Sequence, residues 1–189
     1  MPVGQFAIRP GPFFAAADQF DITVTGRGGH AAKPQETVDT TVVASHIVLA
    51  LQSIASRNVD PVKQLVVSVT SFETESKAFN VIPETVYLQG TVRTLDGVVQ
   101  DMAEERLKAL VTLTAQAYGG SAEVNYVRGY PVMVNSEEQT EFAAEVATAV
   151  SGSCGDAPLV MGGEDFAFML NARPGAYIVV GNGNTAGVH

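Results

Sequence analysis

Apolar residues follow two different periods along residues 18–131, and the order of those periods limits the fold more than any other feature. Phe20, Ile22 and Val24 alternate with polar residues, as in a half-buried strand, and residues 36–57 then follow a helical period. Two more strands (QLVVSVTSFE and ETVYLQGTVRTLD), a helix over 97–118 with Asp96 as its N-cap, and a fourth strand (SAEVNYVRGYP) come next. This order predicts an α+β, ferredoxin-like βαββαβ fold: a four-stranded antiparallel sheet with two helices on one face.

The segments on either side of this pattern differ from it in character. Prolines at positions 2, 10 and 12 predict an irregular lead-in over residues 1–17. The pattern over 132–189 predicts a helix over 136–151, a short strand (AYIVVG) and a Gly/Asn-rich tail, which is too little for a core of its own. We therefore predict three parts: a lead-in over 1–17, a ferredoxin-like domain over 18–131, and a piece over 132–189 that belongs to another domain or packs on the first.

The charge balance excludes some classes of partner. The 189-residue chain has a formal net charge of -9 and a pI of about 4.7. Such an acidic surface argues against nucleic acid or an anionic membrane as a partner. The apolar runs are too short to span a bilayer, no signal peptide is recognised, and Cys154 is the only cysteine. We therefore expect a cytoplasmic protein without disulfides.

Two features predict that the chain pairs with a second copy. In the βαββαβ order the second strand lies at a sheet edge, and LVVSVTSFE carries neither Lys nor Pro to prevent pairing. The first helix has, besides its core-facing residues, a second apolar stripe of Val38, Val42 and Leu49. A partner subunit would cover both features, although a neighbouring helix of the same chain would cover the stripe equally well.

Three residues of the predicted ferredoxin-like domain have side chains suited to binding or catalysis. His30 follows a strand in a glycine-rich loop, where an imidazole can donate to a carbonyl oxygen. Arg93 lies on the helix-free face of the third strand, where a guanidinium can hold a carboxylate. Asn80 immediately precedes that strand. Each also has an ordinary explanation: a surface-turn histidine, a solvated arginine and a turn asparagine.

The piece over 132–189 offers further candidates. Glu164 and Asp165 open a predicted short helix, where carboxylates either cap the helix or take part in a site. His189 is the terminal residue. The three histidines of the chain show none of the close spacings of a catalytic metal site, which needs at least three protein ligands.

Five segments together resemble a known enzyme family. GRGGHAAKP, FNVIPETVYLQGTVRT, GYPVMVN, MGGEDFAFML and GNGNTAGVH are similar, in order and context, to segments of the aminoacylase and carboxypeptidase-type metallopeptidases. They are most similar to the branch of hippurate hydrolases and N-acyl-amino-acid amidohydrolases, over nearly the whole chain. The resemblance implies a catalytic domain and a ferredoxin-like lid that dimerises, with 18–131 as the lid and 1–17 and 132–189 as parts of the catalytic domain.

By position, the resemblance assigns roles to single residues. His30 matches a lid histidine that reaches into the partner subunit's active site and polarises the scissile carbonyl. Asn80 and Arg93 match substrate-binding positions, with Arg93 as the group for the substrate carboxylate. Glu164 matches a position at the active-site border, and His189 matches a metal ligand.

The resemblance also implies a cofactor and an activity. The family carries two divalent metal ions (zinc, manganese or similar), most of whose ligands lie in an N-terminal portion that does not match this chain. We therefore expect the 189-residue chain to bind no metal and to hydrolyse nothing by itself. The whole homodimeric enzyme would cleave the amide bond of a small N-acyl amino acid or peptide-like substrate. The alternative is a stand-alone ferredoxin-like binding module without catalytic activity.

Overall fold

The computed structural model describes residues 1–183, which form two compact units. One unit, here called the inserted unit, consists of Ala17–Gly129. The other, here called the flanking unit, consists of Met1–Ala16 together with the chain from Tyr130 onward. The chain therefore leaves the flanking unit once, builds the inserted unit, and returns.

Fifteen helices and strands are present in the described residues. The strands are β1 Phe6–Ile8, β2 Gly11–Phe14, β3 Ala16–Thr25, β4 Gly29–His30, β5 Leu65–Thr74, β6 Val81–Ile82, β7 Thr85–Thr94, β8 Ser121–Tyr130, β9 Met133–Asn135, β10 Cys154–Asp156 and β11 Val179–Val180. The α-helices are α1 Thr40–Ser53, α2 Gly97–Ala117, α3 Glu137–Ser151 and α4 Phe166–Ala172. A 3₁₀ turn over Pro34–Glu36 precedes α1, and a π-helical turn over Ile54–Asn58 follows it.

The inserted unit has the predicted ferredoxin-like fold. Its main elements follow one another as β3, α1, β5, β7, α2 and β8, and the four strands lie in the order β5-β7-β3-β8. The hairpin of β5 and β7 is antiparallel over its whole length, with one bulge between Val69 and Ser71. This order places β5 at one edge of the sheet, as the sequence predicts, and β8 at the other.

Alternating burial along the strands explains why the sheet forms. In β3 and β7, every second side chain points to the helices and is buried, while the residues between them lie on the open face. The buried residues of β3 include Phe20, Ile22 and Val24, as predicted from the sequence, and α1 and α2 supply the opposite wall of the core. Its larger members are Phe20, Ile22, Val24, Ile47, Leu51, Val86, Leu88, Val92, Leu107 and Val111.

Capping side chains set the starts of the two long helices. The Asp39 carboxylate accepts from the N–H groups of Thr41 at 2.9 Å and Val42 at 3.3 Å. The helix therefore begins at Thr40, and the predicted start at residue 36 is wrong. Asp96 caps α2 in the same way, as predicted. None of the helices in the described residues is long and apolar enough to cross a membrane.

The second apolar stripe of α1 is only partly as predicted. Val42 and Leu49 are exposed, with 45% and 68% of their surface accessible. Val38 instead packs against the core of the inserted unit. The exposed part of the stripe is therefore smaller than the sequence pattern suggests, but two large apolar side chains remain uncovered.

The flanking unit joins the first residues of the chain to the last described ones. β1 lies between β10, to which it is parallel, and β11, to which it is antiparallel. β2 pairs with β9, with a bulge between Pro12 and Phe14. The prediction of an irregular lead-in is therefore wrong, because a proline is tolerated beside a bulge in a two-stranded ribbon. The predicted strand AYIVVG is limited to β11.

The core of the flanking unit is small and aromatic. Phe13 and Met133 are fully buried, and Ala7, Ala157 and Ala167 complete the buried cluster. The Tyr177 ring packs beside Phe13, Phe14 and Phe166, with ring centroids 5.4–6.1 Å apart. This arrangement joins β2, β9 and α4 around a few large side chains rather than an extended apolar layer.

Candidate functional site

Close backbone contacts hold the glycine-rich loop that carries His30. A Cβ atom at Gly28 would lie 2.9 Å from the Ile82 carbonyl oxygen and 3.0 Å from the Glu84 nitrogen. A Cβ at Gly26 would lie 2.5 Å from the Val38 carbonyl oxygen. None of the loop's three glycines has a positive φ. Glycine is therefore needed here for close packing against the segments before α1 and before β7, not for an unusual backbone conformation.

This packing brings His30 and Asn80 together, although they are fifty positions apart in sequence. β4 and β6 form a two-residue antiparallel pair in which His30 lies opposite Val81. The next backbone group, Ala31 N–H, donates to the Asn80 carbonyl oxygen at 2.9 Å. A turn closed by Val81 N–H donating to the Ala78 carbonyl holds Asn80 in place. We call this paired region, residues 29–32 and 78–82, the tip of the inserted unit.

The His30 imidazole is exposed and oriented by one hydrogen bond. Its Nδ1 accepts from the backbone N–H of Ala32 at 3.1 Å. A ring nitrogen that accepts carries no hydrogen, so the neutral ring carries its hydrogen on Nε2. The backbone thus selects the form of His30 in which Nε2 is a hydrogen-bond donor available to a ligand.

The Asn80 side chain is exposed at the same tip. Within the described part of the chain its amide makes no hydrogen bond, so its N–H₂ group can donate to a ligand. Exposed donors on two backbone segments that are hydrogen-bonded to each other are suited to a carbonyl oxygen or to the oxyanion that develops on it.

Arg93 lies away from the tip. It is half-buried on the open face of the sheet, where it lies opposite Val66 of β5, as the alternating pattern predicts. Among residues 1–183 it forms no ion pair, while the nearby Asp21 accepts from the Gln89 amide at 2.8 Å. At 3.4 Å per residue, Arg93 lies about 27 Å along β7 from Thr85, the end of that strand nearest to the tip. Within one protomer the structure therefore does not bring Arg93 to His30 and Asn80.

Glu164 belongs to the flanking unit, just before α4. Its Oε1 accepts from the Phe166 N–H at 3.4 Å, and its Oε2 accepts from the Tyr177 hydroxyl at 3.4 Å. Burial raises the pKa of Tyr177, and the negative charges of Glu164 and Asp165 add to the effect. The two contacts place the Glu164 carboxylate between the start of α4 and the Tyr177 hydroxyl, while Asp165, the N-cap residue of α4, makes no capping hydrogen bond with its side chain.

The predicted metal ligand His189 lies outside the described residues. Within residues 1–183, no group of three or more His, Cys, Asp and Glu side chains is arranged to hold a metal ion. The donor set on these residues therefore does not fit a metal site.

Sequence reasoning missed a buried carboxylate in the inserted unit. Asp18 is 1% exposed and accepts from the Gln100 amide at 2.9 Å, the Tyr126 hydroxyl at 2.7 Å and the Gly129 N–H at 3.2 Å. Burial raises the pKa of Tyr126, and the hydrogen bond to Asp18 raises it further. The sequence pattern could have revealed this carboxylate. Asp18 lies two residues before Phe20, and alternate residues of a strand lie on the same face, so Asp18 belongs to the buried face of β3.

The sequence of the inserted unit matches a known protein family. Residues 16–118, more than half of the chain, match the family model described as a peptidase dimerisation domain. This chain belongs to the peptidase dimerisation domain family. The family expected from the sequence motifs is thereby confirmed.

Relatives of this family member cover almost all of its residues. Thermostable carboxypeptidase 2 of Saccharolobus solfataricus is 36% identical over 184 residues, which are 97% of this chain and 46% of the relative. Hippurate hydrolase of Campylobacter jejuni is 36% identical over 196 residues, which are 100% of this chain and 51% of the relative. A solved dinuclear metal-binding peptidase of Bacillus subtilis is 28% identical, with a TM-score of 0.81 over 100% of this chain and 47% of that one. The chain thus spans about half the length of these relatives.

Proposed function

We propose that this chain is the dimerising, substrate-capping part of a metal-dependent amidohydrolase that hydrolyses the amide bond of N-acyl amino acids. The observation that carries the proposal is the tip, where His30 at the end of β4 and Asn80 just before β6 each present a hydrogen-bond donor. The names of relatives, which include hippurate hydrolase and an N-acetyl-L-cysteine deacetylase, support this class of substrate.

The chemical role follows from the donors. As an amide carbonyl is attacked, its oxygen gains negative charge, and a donor already aimed at that oxygen stabilises the transition state. His30 Nε2–H would make that hydrogen bond, and the Asn80 amide would hold the substrate beside it. Because the Ala32 N–H occupies Nδ1, the ring needs no reorientation when the substrate arrives.

Pairing with a second copy is supported by two exposed surfaces. β5 is an edge strand of ten residues without Lys or Pro, and such an edge pairs readily with another strand. Val42 and Leu49 expose apolar surface on α1, the helix that precedes β5. A homodimer through these two elements would cover both surfaces with one two-fold axis.

The two-fold arrangement also explains why Arg93 lies far from the tip. If β5 pairs antiparallel with its copy, the end of the sheet that carries Arg93 in one protomer lies level with the tip end of the other. Arg93 and the partner's His30 would then lie at the same end of a continuous sheet. We therefore propose that one substrate meets Arg93 through its carboxylate and the partner's His30 through its scissile carbonyl.

The metal ions of the whole enzyme are proposed to lie on residues outside the described part of this chain. A pair of zinc or manganese ions would supply the activated water of such a hydrolase. His189 stays a predicted ligand. A cytoplasmic location stays part of the proposal, supported by the single cysteine, Cys154.

Mixed dimers of the whole protein test this proposal. His30→Ala and His189→Ala homodimers are each expected to lose about 10²- to 10³-fold in kcat on an N-acyl amino acid. When the two are unfolded and refolded together, half of the dimers are mixed and each has one complete site. The mixture should therefore recover about a quarter of the wild-type rate if His30 acts on the partner's site.

The controls separate the possible failures. Either variant refolded alone must keep its loss of activity, and sedimentation must show dimers in every sample. No recovery in the mixture would contradict the action of His30 on the partner's site. A wild-type protein loaded with zinc or manganese that cleaves no N-acyl amino acid would favour the stand-alone binding module.

A further inference from the structure

Phe79 is the most exposed large apolar residue in the described part of the chain, with a relative exposure of 107%. It lies in the turn between Ala78 and Val81, a position for which Gly, Asn, Asp or Ser is the usual choice. The ring packs on nothing, so it adds nothing to the stability of the fold. Because neither the turn nor the core requires this ring, contact with a ligand explains its presence better than packing within the chain does.

Phe79 lies next to the residues that carry the two hydrogen-bond donors, His30 and Asn80. It directly precedes Asn80, whose carbonyl is tied to Ala31 beside His30. Val81, opposite His30 in the strand pair, is also exposed, at 43%. The tip therefore presents two polar donors with apolar surface directly next to them. Because two backbone hydrogen bonds fix the turn, the backbone of Phe79 keeps a constant position beside Asn80, from which the exposed ring can turn toward a bound ligand.

An N-acyl amino acid has the matching chemistry, since its amide carbonyl is attached to an apolar acyl group. We propose that Phe79 is a specificity-determining residue that packs against the acyl group of the substrate when His30 and Asn80 bind its carbonyl. This inference rests on the proposed function and extends it to preference for large apolar or aromatic acyl groups over acetyl. Burial of the ring against an acetyl group would be slight, and burial against a benzoyl or hexanoyl group would be large.

The test compares three substrates that share one amino acid and differ in the acyl group: acetyl, hexanoyl and benzoyl. In the whole metal-loaded protein, Phe79→Ala should lower kcat/KM about tenfold for the hexanoyl and benzoyl substrates and leave the acetyl substrate within about twofold. Phe79→Leu, which keeps apolar surface, should retain most of the preference. Leu113→Ala, on the exposed face of α2, is the matched control and should change none of the three values.

Each other outcome counts against the inference. An equal loss on all three substrates would mean that Phe79 packs against protein or supports the tip, and it would overturn the role in specificity while leaving the proposed function standing. No loss on any substrate would overturn it as well. A wild-type protein that cleaves none of the three overturns both proposals. An unchanged melting temperature of Phe79→Ala excludes an effect on folding.

Discussion

The inserted unit and the flanking unit belong to one chain but are built in different ways. The inserted unit buries a cluster of sixteen apolar residues between a four-stranded sheet and two helices. The flanking unit buries a cluster of five, around strands of two to four residues. On α3 it leaves Phe142, Val146 and Val150 exposed at 67%, 48% and 74%. The difference indicates that the first unit is stable alone and that the second depends on further contacts.

The largest expected effect is on thermal unfolding, when the two units are expressed as separate proteins. Residues 17–129 expressed alone should unfold in one cooperative thermal transition, because their core is complete within that range. Residues 1–16 joined by a short Gly-Ser linker to residues 130–189 should show no such transition. Circular dichroism at 222 nm during heating measures both. A cooperative transition in the second protein would contradict the comparison.

The next largest expected effect is on the free energy of unfolding when Asp18 is replaced. This effect concerns the inserted unit alone. Asp18→Ala leaves the donors of Gln100, Tyr126 and Gly129 without their acceptor in a buried site, which should lower the free energy of unfolding by about 3 kcal/mol. Asp21→Ala, whose carboxylate is exposed on the open face, should cost less than about 1 kcal/mol. Urea unfolding of residues 17–129 measures both values, and equal values would mean that the buried network is of no special importance.

The smallest expected effect concerns the way in which the free energy of unfolding depends on pH through Glu104 of α2. The hydrogen bond from Lys108, and then that from Arg128, lower the pKa of Glu104 below its ordinary value of 4.5. Its contribution to stability is therefore complete above that value and is lost as the pH falls through the lowered pKa of the folded state. Glu104→Gln should reduce the loss of stability between neutral and acidic pH by less than about 1 kcal/mol, since the pair is near the surface.

Glu105→Gln is the matched control, because Glu105 is the next residue of α2, is exposed, and forms no ion pair within residues 1–183. Its stability profile against pH should follow that of the wild type. If Glu104→Gln follows the wild type as well, the ion pairs of Glu104 contribute nothing measurable.

Periodicity predicts the inserted unit well. Phe20, Ile22 and Val24 mark the buried face of β3, and the same reasoning assigns Arg93 to the open face of β7. Both follow from local spacing, because a strand repeats every two residues. The edge position of β5 follows from the order of the elements alone.

The flanking unit and the tip could not be predicted in this way. β4 and β6 have two residues each, too few to show any period, and their pairing joins His30 to Asn80 across a long stretch of sequence. β1 and β2 contain or adjoin prolines and glycines, which usually indicate loops. The sequence and the family resemblance single out His30 and Asn80 as candidates, but only the structure reveals that their backbone segments are neighbours.

The first and last residues of the inserted unit lie close together. Gly129 N–H donates to Asp18 at 3.2 Å, so the strand that enters the unit and the strand that leaves it are side by side. A bridge of a few residues could therefore join position 129 to position 17, and new termini could be opened in the exposed turn that contains Val62. A circularly permuted protein of this kind would keep every strand pairing of the sheet. The fold of the unit would then not depend on the position of its termini, as expected of a module that can be inserted into a host protein as a whole.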